Sequence, residues 1–502
     1  MATLPLPQLS DSSQLRPTLS SGLLPILIGL ALLLGLLGRL FSGLYAPLWF
    51  DETFTAEIAS QTNLHDWVRW CLSELGGPVH YGLLFLWEKV AGNSNVALRL
   101  PSLAVSIAAP LLILWRGHPD RDVRLLWAAI TALSFIGVDS ATQARYYALL
   151  YLLATAQAIL FLRMIERPTL RATMLWTGIS ALMVLTHYYA AIICGFQGIA
   201  FLALCRARAL RTWPALIALV PMAAWMLFHL PFLASFASTD VVWNEGLNAD
   251  DLWLLPCVLT GLAWPGAFVI VAMMASVTTD AVAALRRRAP FPYSPGEAAL
   301  VAGAILSIAL VMGAGFVVPS FNLRYLIPYV PALLLGLALW TRRMMRIVPL
   351  AGPLLITTML GSGMSQLADI IQHPPHNSFN LEDPSAWLAD KGVKRMVMLW
   401  DNPTAALPDP DGHLAAIGSF FLRRAHVPVD IVVPLWPRSG DPNRLLVDMA
   451  SRKPGTAILW IYDTAVPGAR GREHPWRIPS IDPAWECRDF GKGTGTVLAC
   501  IR

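Results

Sequence analysis

The sequence predicts a polytopic α-helical membrane protein with about eleven transmembrane helices and a C-terminal α/β domain. Three observations lead to this fold class. First, 56% of the 502 residues are hydrophobic and only 14% are charged, whereas a soluble chain carries about 25% charged residues. Second, many stretches supply the roughly 20 apolar residues that a bilayer-spanning helix needs. Third, the arginines are gathered in short segments between these stretches.

Eleven apolar runs are each predicted to form one membrane helix of a domain covering 21–365. They lie at 22–46, 98–115, 124–138, 146–162, 173–190, 191–205, 213–233, 253–278, 297–318, 325–341 and 347–365. Residues 1–20 are rich in Ser, Pro and Leu and are predicted to be a disordered cytoplasmic tail. They lack the basic start and small-residue cleavage site of a signal peptide, so the first run is expected to remain as an anchor.

The arginines of the connecting segments predict the orientation. If the eleven runs alternate in direction, five arginine clusters fall on one side, which the positive-inside rule makes cytoplasmic. The clusters are Arg116, Arg121 and Arg124; Arg163, Arg167 and Arg171; Arg206, Arg208 and Arg211; Arg286, Arg287 and Arg288; and Arg342, Arg343 and Arg346. The net charge of +5 is therefore attributed to orientation and not to a nucleic-acid partner. The chain is expected in a bacterial inner membrane with its N-terminus cytoplasmic.

The first outer segment, 47–97, is long for a loop and is predicted to contain helices. "ETFTAEIAS" places Phe54 and Ile58 four residues apart, as in an amphipathic helix. "NLHDWVRWCLSEL" and "GGPVHYGLLFLWEKVAG" follow, and both are too short to span a bilayer. Because Trp and Tyr favour the membrane interface, these helices are expected to lie on the outer surface over a cavity.

Residues 366–502 have no run of membrane length and are predicted to form a periplasmic α/β domain. "VKRMVMLW", "VPVDIVVPLW" and "TAILWIY" have the apolar, β-branched composition of buried strands. "GHLAAIGSFFLRRA" and "PNRLLVDMASR" are predicted helices between them. Another helix is expected to begin at Asp383, as N-cap, with Pro384 at its first position.

The glycine-rich "GKGTGT" at 491–496 is predicted to be a hairpin turn, because it lacks the spacing of a phosphate-binding loop. Cys487 and Cys500 lie at equal distances from its centre. A hairpin would place them opposite each other, within reach of a disulfide in the oxidising exterior. The alternative is two small apolar residues in paired strands. Cys194, Cys205 and Cys257 lie in or near apolar runs and are expected to be small core residues.

Charged residues at the outer ends of the runs are the candidate functional groups. Asp51 and Glu52 follow the first run, and Arg145, His187 and Arg324 lie at three other outer ends. Asp51 or Glu52 could simply cap an interfacial helix. Cations on the outer side run against the positive-inside bias, and charge at the membrane edge commonly marks function. The spacing leaves open whether these groups form structural ion pairs or a base facing an anionic ligand.

Five motifs, spread over about residues 23–340, resemble the GT-C class of membrane glycosyltransferases. They are "LGRLFSGLYAPLWFDETFTAEIA", "GGPVHYGLLFLWEKVAGNSNVALRLPSLAV", "TQARYYALL", "THYYA" and "RYLIPYVPALLL". By pattern the chain is similar to bacterial protein mannosyltransferase-like and lipid A aminoarabinose transferase-like enzymes. Those relatives often show His before a Pro pair, whereas this chain has Gly-Gly-Pro followed by His80, which points to a different acceptor.

The resemblance implies transfer of a sugar from a polyprenyl-phosphate donor to a lipid, glycan or protein acceptor of the cell envelope. It implies that Asp51 is the catalytic base and that Glu52 orients the loop or contacts sugar or acceptor. The resemblance further assigns sets of residues to the donor phosphate (Arg145, Arg324 and Tyr146) and to other substrate groups (His80, His187 and Tyr188). Arg39, in the first run, is expected to pair with Asp51 or Glu52, and Arg99 is expected to be structural.

No cofactor or metal is expected, and the adjacent acids Asp250 and Asp251 lie before a predicted helix, where a cap accounts for them. His373 and His376 form a weak zinc candidate, since two His in a Pro-rich turn usually belong to an ordinary loop. Two other functions remain open. The chain could be a lipid-glycan transporter or flippase, although no internal repeat of the kind common in transporters is evident. It could also be a catalytically inactive assembly subunit.

Overall fold

The computed structural model describes residues 19–237, 247, 250–317, 321–372, 379–400, 410–432, 454–463, 484–490 and 495–502. The α-helices in these ranges are α1 Leu19–Phe41, α2 Phe50–Ala59, α3 Leu64–Leu72, α4 Pro78–Ala91, α5 Asn95–Arg116, α6 Arg121–Ala132, α7 Phe135–Asp139, α8 Tyr147–Glu166, α9 Leu170–Val184, α10 Ala190–Cys205, α11 Ala207–Leu210, α12 Val220–Ala237, α13 Leu254–Thr260, α14 Ala263–Leu285, α15 Pro295–Val317, α16 Val330–Met344, α17 Ala351–Gln372, α18 Glu382–Asp390 and α19 Pro410–Arg424. Short 3-10 helices are Ser140–Thr142, Trp213–Leu219, Asp250–Trp253 and Leu323–Tyr329. The strands are β1 Arg395–Trp400, β2 Asp430–Val432, β3 Thr456–Asp463, β4 Glu486–Asp489 and β5 Gly495–Ile501.

The described chain is a polytopic membrane protein, and every predicted apolar run is largely helical. Eight helices are long and apolar enough to cross a membrane within these ranges, or nine if the pair α6 and Phe135–Thr142, bent by 54°, is one broken span. The remaining two runs form α9 and α10, which are shorter, with 15 and 16 residues. The predicted run 253–278 is divided at Gly261, which has a left-handed φ of 76°, so its long helix begins only at Ala263.

Arg39 connects α1 to α6 through hydrogen bonds. The predicted pairing of Arg39 with Asp51 or Glu52 is therefore wrong. Its guanidinium is 1% exposed and donates to the carbonyl oxygens of Gly35, Thr131 and Ala132 and to the hydroxyl of Ser106. These acceptors occupy all three guanidinium nitrogens. Arg39 thus replaces hydrocarbon packing with a buried polar contact between helices.

The first outer segment folds into α2, α3 and α4, as predicted. The Asn63 side chain accepts a hydrogen bond from the backbone N–H of Asp66 and so caps α3. Gly77 precedes α4, and a Cβ there would lie 1.8 Å from the carbonyl oxygen of Leu185. Only glycine permits this approach. It brings the start of α4 against the turn between α9 and α10, which carries His187.

The C-terminal region contains a five-stranded sheet in the order β2-β1-β3-β5-β4. β1 is parallel to β2 and β3, and β5 is antiparallel to β3 and β4. Cys487 lies opposite Cys500 and forms the predicted disulfide, with the two Cα atoms 4.0 Å apart. The predicted helix 442–452 and residues 491–494 of the predicted turn lie outside the described residues.

One capping prediction in this region is wrong. The helix α18 begins at Glu382, so Asp383 lies in its first turn and is not its N-cap. The side chain of Asn380 instead accepts hydrogen bonds from the backbone N–H groups of Glu382 and Asp383. Both asparagine and aspartate suit this position, and their order along the chain alone does not decide between them.

The C-terminal region rests on the outer helices. Arg423 at the end of α19 donates to the carboxylate of Glu57 at the end of α2. Arg424 donates to the Asn95 side chain at the start of α5, at 2.8 Å. His413 lies 2.8 Å from the Ser73 hydroxyl, just after α3. These contacts place the C-terminal region directly over the helix that carries Asp51 and Glu52.

Candidate active site

Asp51, Arg145 and Arg324 meet at one end of the helical bundle. Asp51 lies in the first turn of α2, Arg145 just before α8, and Arg324 in the 3-10 helix that leads into α16. One carboxylate oxygen of Asp51 lies 3.2 Å from Nη1 of Arg324 and 3.9 Å from Nη2 of Arg145. The Asp51 side chain is 29% exposed. The cluster is therefore an open carboxylate with two guanidinium groups beside it.

Glu52, the next residue, is enclosed. It is 1% exposed, and Arg99 donates to both of its oxygens, with 2.9 Å from Nε to Oε1. The backbone N–H groups of Ala144 and Trp49 donate to the same carboxylate, at 2.7 and 3.2 Å. Arg99 also donates to the carbonyl oxygens of Gly43 and three other residues of the linker after α1. Glu52 and Arg99 thus tie α2 to that linker and to α5.

The two arginines at Asp51 have different surroundings. Arg145 is buried; its Nη1 donates to the backbone oxygen of Asp51 and to the Thr55 hydroxyl, both at 3.1 Å. Among the described residues its Nε has no hydrogen-bond partner. Arg324 is 31% exposed, and its guanidinium lies 5.8 Å from the ring centres of both Trp49 and Tyr147. Arg145 therefore holds the backbone of α2, whereas Arg324, paired with the Asp51 carboxylate, is exposed enough to contact a ligand as well.

Tyr146, His187 and His80 form an aromatic wall behind the two arginines. The ring centre of Tyr146 lies 5.1 Å from that of His187 and 6.4 Å from that of His80. Burial and the nearby charges of Arg324 and Arg145 lower the pKa of His187 to about 3. Burial and the charge of Arg145 lower the pKa of His80 to about 3. Both imidazoles are thus neutral at physiological pH. In the described chain neither ring nitrogen of His80 has a hydrogen-bond partner, and Nδ1 of His187 has none either.

Tyr188 faces a neighbouring group of polar side chains. Its hydroxyl is shared with Nδ1 of His229, accepts from the indole N–H of Trp225 at 3.0 Å, and lies 3.4 Å from the Gly76 carbonyl oxygen. The phenol therefore already has protein partners, in contrast to His187, whose Nδ1 has none in the described chain. Of the predicted substrate-binding residues, His80 and His187 adjoin Tyr146, whereas Tyr188 lies in this separate hydrogen-bonded group.

Glu74 is a carboxyl group of the site that the sequence prediction missed. It follows α3, accepts a hydrogen bond from the Tyr81 hydroxyl at 3.2 Å, and is close enough to Arg145 and Asp51 to interact with both charges. Burial raises the pKa of Glu74 above its ordinary value. The residue lies two positions before the first glycine of the Gly-Gly-Pro motif, and this place in the first outer segment was the available signal.

In the described ranges no group of three His, Cys, Asp or Glu side chains is placed to hold a metal ion. His373 and His376, the weak zinc candidate, lie outside the described residues. The site instead presents one open carboxylate, two guanidinium groups and neutral aromatic side chains. That set suits an anionic ligand whose reaction requires a base.

Comparison with known proteins finds similarity to solved structures but no match in sequence. No family model matches the chain, and no curated protein matches its sequence. The crystal structure of ArnT from Cupriavidus metallidurans in the apo state aligns with a TM-score of 0.58 and 11% identity, over 96% of this chain and 98% of ArnT. The structure of the same protein bound to undecaprenyl phosphate aligns with a TM-score of 0.54 and 12% identity, over 95% of this chain and 98% of ArnT.

The oligosaccharyltransferase of Archaeoglobus fulgidus, crystallised with zinc and sulfate, aligns with a TM-score of 0.50 and 12% identity. That alignment covers 87% of this chain and 68% of the archaeal protein. Both proteins are GT-C glycosyltransferases. The chain therefore has the GT-C polytopic membrane fold, and the resemblance predicted from its motifs is confirmed at the level of the fold.

Proposed function

We propose that the chain is an inverting glycosyltransferase that transfers a sugar from a polyprenyl-phosphate-linked donor to an acceptor of the bacterial cell envelope. The observation that carries this proposal is the open carboxylate of Asp51 between Arg145 and Arg324, at one end of a GT-C fold. ArnT, which has this fold, has been crystallised with undecaprenyl phosphate, and this supports a polyprenyl phosphate as the lipid. The acceptor is lipid A, another glycan or lipid, or a protein.

In the proposed reaction an acceptor hydroxyl attacks the anomeric carbon of the donor sugar. The bond from that carbon to the phosphate oxygen breaks, and its electron pair leaves with the polyprenyl phosphate. Asp51 takes the proton of the hydroxyl as the new glycosidic bond forms, and positive charge develops on the sugar in the transition state. The guanidinium groups of Arg324 and Arg145 stabilise the negative charge of the departing phosphate.

Because Asp51 pairs with Arg324, donor binding is also proposed to release the Asp51 carboxylate. In the structure Arg324 lies against the carboxylate that is proposed to act as base. A bound phosphate competes for the same guanidinium, and Arg324 is exposed enough to turn towards it. The carboxylate then loses one partner and becomes available to the acceptor. Arg145 keeps Asp51 in place meanwhile, because it bonds the backbone oxygen of that residue.

The remaining site residues are proposed to orient the substrates. Glu52 acts indirectly, since its carboxylate is enclosed and holds the first turn of α2, which carries Asp51. Tyr146 borders the phosphate position, with the Arg145 guanidinium 5.0 Å from its ring centre. His187 and His80, both neutral, supply hydrogen bonds to sugar or acceptor oxygens. Glu74, whose pKa is raised by burial, can donate such a bond in its protonated form. Tyr188 is not assigned to a substrate, because its hydroxyl already contacts His229 and Trp225.

We further propose that the site faces the periplasm, with the N-terminus cytoplasmic and the C-terminal region periplasmic. The five arginine clusters then face the cytoplasm, as the positive-inside rule requires. The Cys487–Cys500 bridge supports an oxidising location for the C-terminal region. At this surface the lipid tail of a polyprenyl donor lies in the bilayer while its phosphate reaches Arg145 and Arg324.

The test is release of free polyprenyl phosphate from a lipid-linked sugar by the purified full-length protein, with Asp51→Asn as the matched inactive variant. Release that depends on Asp51, together with a new glycolipid or glycoprotein in the envelope of cells that carry the gene, supports the proposal. Movement of the intact donor across a vesicle membrane without release would identify a transporter instead. Neither release nor movement, with donor still bound, would identify an inactive assembly subunit.

A further inference from the structure

A second polar region lies at the end of the bundle opposite Asp51. The helices α5, α8 and α10 begin near the candidate active site, and their C-terminal ends border a cavity of about 580 Å³. The start of α15 closes its remaining side through Pro295 and Gly296. The volume lies within the range of small-molecule sites, about 300–1,000 Å³. The proposed transfer reaction makes no use of this cavity.

The lining of the cavity is strongly basic at its mouth. Four arginines and two glutamates border it, so guanidinium groups exceed carboxylates by two; these residues are Arg116, Arg124, Arg163, Arg208, Glu166 and Glu297. Within the described ranges none of the four arginines forms an ion pair. Glu297 is already engaged by the His118 imidazole at 2.8 Å and by the backbone N–H of Ser294 at 2.7 Å. The charge of Arg163 interacts with the like charge of Arg116 and with the opposite charge of Glu166. The mouth therefore keeps an excess of positive charge.

Two of these guanidinium groups are brought together by a backbone contact. Arg163 donates through Nη2 to the carbonyl oxygen of Arg116 at 2.8 Å. The Arg116 guanidinium itself lies 4.7 Å from the ring centre of Trp115, which is 70% exposed. Neighbouring cations repel each other, and an anion between them removes that repulsion. Guanidinium pairs bind phosphate with particular affinity, because each can donate two parallel hydrogen bonds.

The inner wall of the cavity is apolar, as expected for a ligand with a hydrocarbon part. Ile159 and Leu162 of α8 and Leu204 and Cys205 of α10 contribute to it. Trp115 beside the mouth has the amphipathic character typical of the membrane interface. A cationic mouth at headgroup level above an apolar wall matches a phospholipid better than a free phosphate ion, which has no apolar part.

We infer that this cavity binds the phosphate headgroup of an anionic phospholipid from the inner leaflet. The inference goes beyond the proposed transfer function, and it relies on the proposed orientation only for the choice of leaflet. Basic pockets between membrane helices on the cytoplasmic side are suited to anionic lipid headgroups. Arg116 and Arg163 hold the phosphate, and Arg208 and Arg124 complete the positive rim.

Native mass spectrometry of the full-length protein in detergent tests this inference. Phosphatidylglycerol is titrated against phosphatidylcholine of the same chain length. We expect at least tenfold preferential retention of phosphatidylglycerol, and loss of most of that preference in the Arg116→Gln/Arg163→Gln variant. The matched control is Arg286→Gln/Arg288→Gln, which removes two exposed arginines of the same side that do not line the cavity. The control should bind lipid as the wild type does.

Three results would overturn the inference: equal retention of the two lipids, full retention by the Arg116→Gln/Arg163→Gln variant, or equal loss in the control variant. A further titration with inorganic phosphate distinguishes the source of the phosphate. Displacement of the lipid at equal concentration would show a site for free phosphate and not for a lipid. If the glutamine variant does not fold, Arg208→Gln and the charge-conserving Arg116→Lys/Arg163→Lys variant replace it. The first is expected to weaken retention severalfold, and the second to keep part of it.

Discussion

Asp51 and Glu52 are neighbours in one helical turn, yet their carboxylates lie in different surroundings. The Glu52 carboxylate points inwards, where Arg99 and the backbone N–H groups of Ala144 and Trp49 surround it. The Asp51 carboxylate points into the open end of the bundle, where Arg324 lies at 3.2 Å and Arg145 at 3.9 Å. Two acids of the same chemistry therefore differ in environment: the buried one ties α2 to the linker after α1 through Arg99, and the open one is 29% exposed.

The largest expected effect on transfer is that of Asp51→Asn. Loss of a general base typically lowers the rate by about 10²–10⁴-fold, while the amide keeps the size of the side chain. We expect the variant to fold and to bind donor, and to lose turnover, measured as released polyprenyl phosphate. Asp66→Asn is a suitable control, because Asp66 is a partly exposed acid at the start of α3 whose side chain bonds only Asn63 among the described contacts. Turnover within a few-fold of wild type would exclude Asp51 as the base.

Glu52→Gln should mainly lower the stability of the folded protein. Breaking a buried ion pair costs about 3–5 kcal/mol, because one charge is left without its partner. We expect a large fall in the temperature of unfolding and in the yield of folded protein, and a similar fall for Arg99→Gln. The double variant should be less unstable than the sum of the two singles, since neither charge is then left unpaired. A stable but inactive Glu52→Gln protein would contradict the structural role and place Glu52 in catalysis.

Substitutions of the two arginines at Asp51 should change different kinetic constants. Charge-assisted hydrogen bonds are worth about 1.5–3 kcal/mol, so Arg324→Ala should raise the KM for the lipid donor by about 10- to 150-fold. Lysine should restore part of this loss, because it keeps the charge and lacks the planar fork. Arg145→Ala should lower kcat as well, since Arg145 also holds the backbone of Asp51. Donor titrations that match wild type for both variants would place the phosphate elsewhere.

The smallest expected effect belongs to Glu57, the third acid of α2. Its partner, Arg423, has a half-exposed side chain, whereas the Glu57 side chain is 4% exposed. Gln61 also donates to the Glu57 carboxylate at 3.0 Å and remains as a partner when Arg423 is removed. We expect Arg423→Gln to change transfer less than threefold in a release assay and to lower the temperature of unfolding by less than Glu52→Gln does. A loss comparable to that of Arg324→Ala would mean that the C-terminal region controls the position of Asp51.

Local sequence was sufficient for the features that depend on composition and spacing. Apolar length and the position of arginines predicted the membrane helices, the short outer helices α2–α4 and the end of the bundle where Asp51, Arg145 and Arg324 meet. The equal distance of Cys487 and Cys500 from a glycine-rich turn predicted their opposition in a hairpin, since strand register near a turn is a matter of counting. Each of these inferences concerns residues close in the chain or a property of a whole segment.

Which charged side chains contact each other could be read only from the tertiary structure. Arg39 and Arg99 are both arginines near the outer ends of apolar helices, yet only Arg99 reaches Glu52, 47 positions away. Arg39 turns instead to carbonyl oxygens of α6. Asp51 and Arg324 are separated by 273 positions, and Glu74, which follows α3, interacts with the charges of Asp51 and Arg145. The physical reason is that hydropathy reports how deeply a segment is buried, whereas the direction and partners of a side chain depend on helix packing across the whole chain.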